Sequence, residues 1–228
     1  MTERVRLRTP EGDARVHIDP ALGRRRALLV LGHGAGGGVE AADLVALARH
    51  LPNRGVTVVR VEQPWRVAGR RLAPRPAALD AAWGPAVAAA VRTAPDLPLL
   101  VGGRSAGARV ACRCASKVGA LAVLALAFPL HPPGRPDRSR AAELAVGMPL
   151  LVVQGERDPF GRPEEFAGVQ VVPIPAADHG FQVPRRGPIT GHEALTMLTE
   201  AVGPWVEEVA DPSSGRESSP RVAVLPPA

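Results

Sequence analysis

At 228 residues and 46% hydrophobic content, the chain has the length of one α/β domain with a full buried core. The formal charge of +6 does not make it a nucleic-acid binder, because every basic residue but Lys117 is a scattered arginine and 3% aromatic content leaves little for base stacking. No apolar run is long enough to cross a bilayer, and residues 1–4 lack the apolar core of a signal peptide, so the expectation is a cytoplasmic protein with no membrane partner.

Residues 5–7 and 16–18 read as a short edge hairpin around Pro10-Glu11-Gly12-Asp13. Residues 27–31 form a buried strand that runs into Gly32-His33-Gly34-Ala35-Gly36-Gly37-Gly38. A helix over 40–50 follows, with Leu44, Leu47, Ala48 and Leu51 on one side. The β-branched run 56–61 is the next strand, and 62–76, rich in proline, glycine and arginine, reads as a long loop. A helix over 77–92 contains Gly84-Pro85, where a kink is predicted. Residues 99–101 are a strand, 108–118 a helix and 121–126 another strand. Strands over 150–154 and 169–174 and a helix over 192–209 complete the series. Cys112 and Cys114, two residues apart on a helix, point in different directions and read as reduced packing residues, so neither a disulfide nor a metal site is expected.

Strands alternating with helices predict an α/β fold with a mainly parallel central sheet and helices on both faces. The segment over 135–146 has room for at most one helix, so little or no lid is expected. The domain spans residues 1–210 on this reading, and 211–228, rich in serine and proline, is a disordered tail.

The chemistry is concentrated at Gly103-Arg104-Ser105-Ala106-Gly107, a G-x-S-x-G delivered by an apolar strand and followed by a helix. Such a turn strains the serine backbone and exposes its hydroxyl at the carboxyl edge of a sheet. A hydroxyl is a poor nucleophile without a base, and the base needs an acid to orient it. Two later strands end in such groups: Gly155-Glu156-Arg157-Asp158-Pro159 carries Asp158, and Ala177-Asp178-His179-Gly180 carries His179. Asp158 alone reads equally well as a turn former, with Glu156 and Asp178 as rival acids, and His179 alone as a solvated loop residue. The order Ser105, Asp158, His179, each at a strand's end, selects the catalytic reading. The backbone N–H of Ala106 and that of Gly34 or Ala35 are placed to serve as the oxyanion hole. The glycine turn lacks the Lys-Ser/Thr ending of a phosphate loop, and His33 reads as its prop.

Taken with Phe128-Pro129-Leu130-His131-Pro132-Pro133-Gly134 and Gln154-Gly155-Glu156-Arg157-Asp158-Pro159-Phe160-Gly161, these motifs resemble the α/β-hydrolase superfamily over nearly the whole chain short of the tail. The closer likeness is to its dienelactone-hydrolase-like group, which includes the testis-expressed protein thirty and the hydrolase-like subunit of the non-specific lethal chromatin complex. The resemblance implies an α/β-hydrolase fold with Ser105, Asp158 and His179 as its triad and no cofactor. Ala106 departs from the methionine expected after the nucleophile, a change that keeps the backbone N–H.

For the substrate, Gln63, Trp65 and His131 follow strand ends and are candidates to line the cleft. Arg104 either binds an anionic substrate group or is a structural arginine tied to carbonyls or to Glu62. The leading expectation is a serine hydrolase of small carboxylic esters or thioesters acting through an acyl-enzyme. The alternative is a non-catalytic binding or scaffold module on the same fold, and the oligomeric state is left open.

Overall fold

The apolar runs pair into an 8-stranded sheet in the order β1-β2-β4-β3-β5-β6-β7-β8, seen in a computed structural model that describes residues 2–211. The strands are β1 (Glu3–Thr9), β2 (Gly12–Asp19), β3 (Ala27–Gly32), β4 (Val56–Glu62), β5 (Leu99–Arg104), β6 (Ala122–Leu126), β7 (Leu150–Gly155) and β8 (Gln170–Ile174). The helices are α1 (Ala42–His50), α2 (Pro64–Val67), α3 (Pro76–Val91), α4 (Ala106–Cys114) and α5 (Gly191–Ala210). From β4 to β8 all pairings are parallel, while β1 with β2 and β2 with β4 are antiparallel. The expected hairpin is therefore longer than its apolar residues suggest, and of its two strands only β1 is an edge, β8 being the edge at the far side of the sheet.

Side-chain alternation along the strands splits the core into two layers. From β3, Leu28 and Val30 face one layer with Trp83 of α3 and Val110 of α4. Ala27, Leu29 and Leu31 face the other, with Leu44 and Leu47 of α1 and Leu198, Val202 and Trp205 of α5. Each fully buried Leu or Val contributes roughly 1.5–3 kcal/mol. An exposed ion pair such as Arg6–Asp13, with the arginine side chain 70% exposed, contributes about 0–1 kcal/mol, so the two apolar layers hold the fold.

Several elements depart from the sequence reading in instructive ways. The loop over 62–76 contains the short helix α2, opened by Pro64 at its first position, where the missing N–H costs nothing. The helix α3 runs through Pro85 from Pro76 to Val91. Between β6 and β7 there are only two single-turn 3₁₀ segments, Pro136–Arg138 and Ala141–Leu144, so no lid is built there. Cys112 and Cys114 are buried and unlinked, and burial pushes their thiols up to about 12 and about 11. The expected tail lies outside the described residues apart from Asp211. Among the described residues no helix is long and apolar enough to cross a membrane.

Candidate active site

Strand β5 ends at Arg104, and Ser105 then takes φ 52° and ψ −116° before α4 begins. A residue with a Cβ occupies that region only under strain, so the surroundings must hold it. The Ser105 N–H donates to the Leu126 carbonyl at 2.9 Å, and the Ser105 carbonyl accepts from Arg109 N–H at 3.2 Å. Space is supplied by two glycines. A Cβ on Gly103 would stand 2.5 Å from the Gly32 carbonyl oxygen, and one on Gly107 would strike the same group. Their absence lets α4 settle against β3, which brings Gly34 of the following turn beside Ser105.

His179 joins the two loops facing the elbow. Its Nε2 lies 2.9 Å from Ser105 Oγ and its Nδ1 lies 2.7 Å from Asp158 Oδ2. An ionised carboxylate only accepts, so Nδ1 carries the hydrogen and Nε2 presents a lone pair to the serine hydroxyl. Asp158 is 1% exposed, and Oδ2 accepts a second bond from Gln154 Nε2 at 2.8 Å while Oδ1 accepts from Phe160 N–H at 2.8 Å. Those donors fix its orientation. The rival acids are engaged elsewhere: Glu156 accepts from Ala176 N–H, and Asp178 accepts from Gly180 and Gln182 N–H groups.

Gln154 and Phe160 were missed by the sequence reading. Gln154 Nε2 also donates to the Gly161 carbonyl, so it ties the Asp158 loop closed. Its signal was legible, being the lone polar residue in Leu-Leu-Val-Val-Gln-Gly. The Phe160 ring lies 4.3 Å from the His179 imidazole, centroid to centroid, and packs the base in place. His179 keeps a fifth of its side chain exposed, enough to meet a substrate.

On the other side of the serine, Gly34, Ala35 and Ala106 border a slit of about 10 Å³ with Gln63 and Trp65. His33 ties this turn together: its Nδ1–H donates to the Gly34 carbonyl, and its Nε2 accepts from Gln63 N–H. Burial holds the imidazole below its ordinary pKa, so it stays neutral and structural.

Two expected cleft residues lie elsewhere. His131 has both ring nitrogens engaged, at 2.9 Å from the Pro132 carbonyl and 2.9 Å from Glu165 Oε2, which leaves none for a substrate. Arg104 is structural, but its acid is not Glu62, which pairs with Arg15 and His17. Arg104 Nε donates to Asp43 Oδ2 at 3.1 Å and Nη2 donates to the His179 carbonyl. It thus links α1, the elbow and the histidine loop. Asp43 is 2% exposed, and burial pushes its carboxyl up while the guanidinium pulls it down. Sequence reasoning missed Asp43 because an acid near a helix start reads as a solvated, dipole-matched residue.

Arg104→Met is expected to destabilise the protein by roughly 3–5 kcal/mol, since it leaves Asp43 buried and unpaired. Arg104→Met/Asp43→Leu should recover most of that loss in thermal unfolding while ester turnover stays low, because the His179 carbonyl still lacks its donor. Recovery of both would make the arginine a packing residue only.

Among the described residues no cluster of His, Cys, Asp or Glu is arranged to hold a metal ion. Residues 25–207 match the model of a family described as an alpha/beta hydrolase domain. The structure is similar to a lidless α/β serine hydrolase from Xanthomonas campestris, with TM-score 0.70, 20% identity, and 90% of this chain and 94% of that one covered. It is similar also to an alpha-beta serine hydrolase homologue from Coxiella burnetii, with TM-score 0.72, 19% identity and coverage of 90% and 97%. A dienelactone hydrolase from Anabaena variabilis aligns with TM-score 0.68, 20% identity and coverage of 90% and 96%. At these identities the likeness is one of fold. Among curated protein sequences none matches this chain.

Proposed function

The chain belongs to the alpha/beta hydrolase family, and from that premise we propose that it is a serine hydrolase acting on small carboxylic esters or thioesters through an acyl-enzyme on Ser105. The observation that carries this reading is the unbroken hydrogen-bonded line from Ser105 Oγ through His179 to the buried Asp158. As Oγ attacks the ester carbonyl, His179 Nε2 takes its proton, and Asp158 steadies the imidazolium that results. The N–H of Ala106, with that of Gly34 or Ala35, receives the developing oxyanion. His179 then returns the proton to the departing alcohol or thiol, and water repeats the attack on the acyl-enzyme.

The open, lidless surroundings and the narrow slit beside the oxyanion turn support small substrates over long lipids. Two reduced buried thiols support a cytoplasmic setting. Within the family, the Phe128 to Gly134 and Gln154 to Gly161 strings support a place in the dienelactone-hydrolase-like group. They pack on each other, since a Cβ on Gly161 would stand 2.7 Å from Leu130 Cβ. The test is reaction with a fluorophosphonate and hydrolysis of short p-nitrophenyl esters, both expected of the wild-type protein and both expected to vanish in Ser105→Ala.

A further inference from the structure

Gln63 sits at the end of β4, where the chain turns into α2. It is 3% exposed, and its Oε1 is shielded from solvent with no hydrogen-bond partner. A buried amide oxygen left unpaired is a cost that leucine or methionine would not incur at the same place. Among the described residues two other buried polar side-chain atoms lack a partner, Trp83 Nε1 and Gln154 Oε1, and neither residue borders the slit beside Ser105. Gln63 does, together with Gly34, Ala35, Ala106 and Trp65.

The backbone of Gln63 is tied to the oxyanion turn. Its N–H donates to His33 Nε2 at 3.2 Å, and His33 Nδ1–H donates to the Gly34 carbonyl at 2.9 Å. The neutral imidazole between them has no tautomer to spare, so the Gln63 backbone is held in a fixed relation to the turn whose N–H groups would receive the oxyanion. Trp65, which follows two residues later, packs edge-on against His33 at 5.5 Å and completes an apolar wall. A buried, unpartnered acceptor on a residue that borders the slit with Gly34, Ala35 and Ala106 is suited to a neutral hydroxyl and unsuited to a carboxylate or an alkyl group. The slit is small: about 10 Å³ is close to the space one water-sized group occupies.

We propose that Gln63 Oε1 accepts a hydrogen bond from a hydroxyl on the acyl carbon next to the scissile carbonyl, making short α-hydroxy acyl esters and thioesters the substrate class. This rests on the serine-hydrolase reading above. An acyl group of the same size without the hydroxyl enters the slit but leaves the amide oxygen unpaired, as it is in the free protein, so discrimination arises from the hydrogen bond that only the hydroxyl supplies rather than from fit.

The test compares p-nitrophenyl glycolate, propionate and acetate, the first two being nearly equal in size. After division by each ester's uncatalysed hydrolysis rate, wild-type kcat/KM is expected to favour glycolate over propionate by about 10- to 100-fold. Gln63→Met removes the acceptor and is expected to bring that ratio close to one, whereas Gln63→Glu, which keeps an oxygen acceptor, retains a preference. The wild-type ratio does not depend on either variant folding. Equal wild-type turnover of glycolate and propionate would overturn the inference, with a bound water rather than substrate then satisfying Gln63. If none of the three esters is hydrolysed, the hydrolase reading itself fails and the inference falls with it.

Discussion

Asp158→Asn is expected to lower kcat on short esters by about four orders of magnitude in a protein that remains folded. The size of the effect follows from how completely the carboxylate is used. Its two oxygens accept from His179 Nδ1–H, Gln154 Nε2 and Phe160 N–H, all within 2.8 Å. An asparagine must turn an NH₂ toward one side of that set. Facing His179 and Gln154, it opposes the Gln154 donor and presses a hydrogen on Nδ1, which moves the imidazole proton to Nε2 and removes the base. Facing Phe160 N–H, it opposes a backbone donor and loosens the loop. Either way the imidazolium loses the negative charge that stabilises it. Glu156→Gln is the control, because Glu156 bonds Ala176 N–H and does not touch His179. It should stay within about tenfold of wild type, as exposed substitutions do. The opposite ranking of the two variants would assign the orienting acid to Glu156.

Gly155→Ala is expected to damage stability and turnover together. A Cβ at this position would stand 2.5 Å from the Ala177 carbonyl oxygen and 2.7 Å from that of Asp178, so the end of β7 and the histidine loop must part. Those segments are pinned to each other by Arg157 N–H to the Ala177 carbonyl at 2.8 Å and Glu156 N–H to the Ile174 carbonyl at 3.1 Å. Forcing them open costs roughly 1–3 kcal/mol. It also stretches the 2.7 Å bond between His179 and Asp158, and a displacement of about 1 Å in such a pair lowers the rate on the order of a hundredfold. Gly191→Ala, at the first position of α5 with open space around it, should change neither. Wild-type melting and activity in Gly155→Ala would mean the two loops can separate without disturbing the site.

The parallel sheet was legible because its central strands are continuous apolar runs bounded by glycine and proline, and burial on both faces requires such runs. The elbow was legible for a related reason. Gly103 and Gly107 are dictated by backbone collisions, so the spacing around Ser105 carries structure in itself. Less was visible where a polar residue is buried by a partner distant in sequence. Asp43 looks like an ordinary acid at a helix start, and only the packed fold brings Arg104 to it across 61 positions. His131 looked available because it follows a strand end, yet its two partners, one adjacent and one on a later loop, consume it. The helix α2 was hidden because Pro64, taken as a breaker, serves at a first helical position instead. Gln154 was the one omission with a clear signal, a single polar side chain in a strand that has no solvent-facing side.

The central claim is that Ser105 is an activated nucleophile. Its most direct test is intact-mass and peptide mass spectrometry of the wild-type protein after incubation with a fluorophosphonate at neutral pH. A single phosphonyl adduct on Ser105, absent from Ser105→Ala and greatly slowed in Asp158→Asn, is the predicted result. A folded wild-type protein that stays unlabelled, or one labelled equally in Ser105→Ala, would contradict the account and favour a binding or scaffold module on this fold.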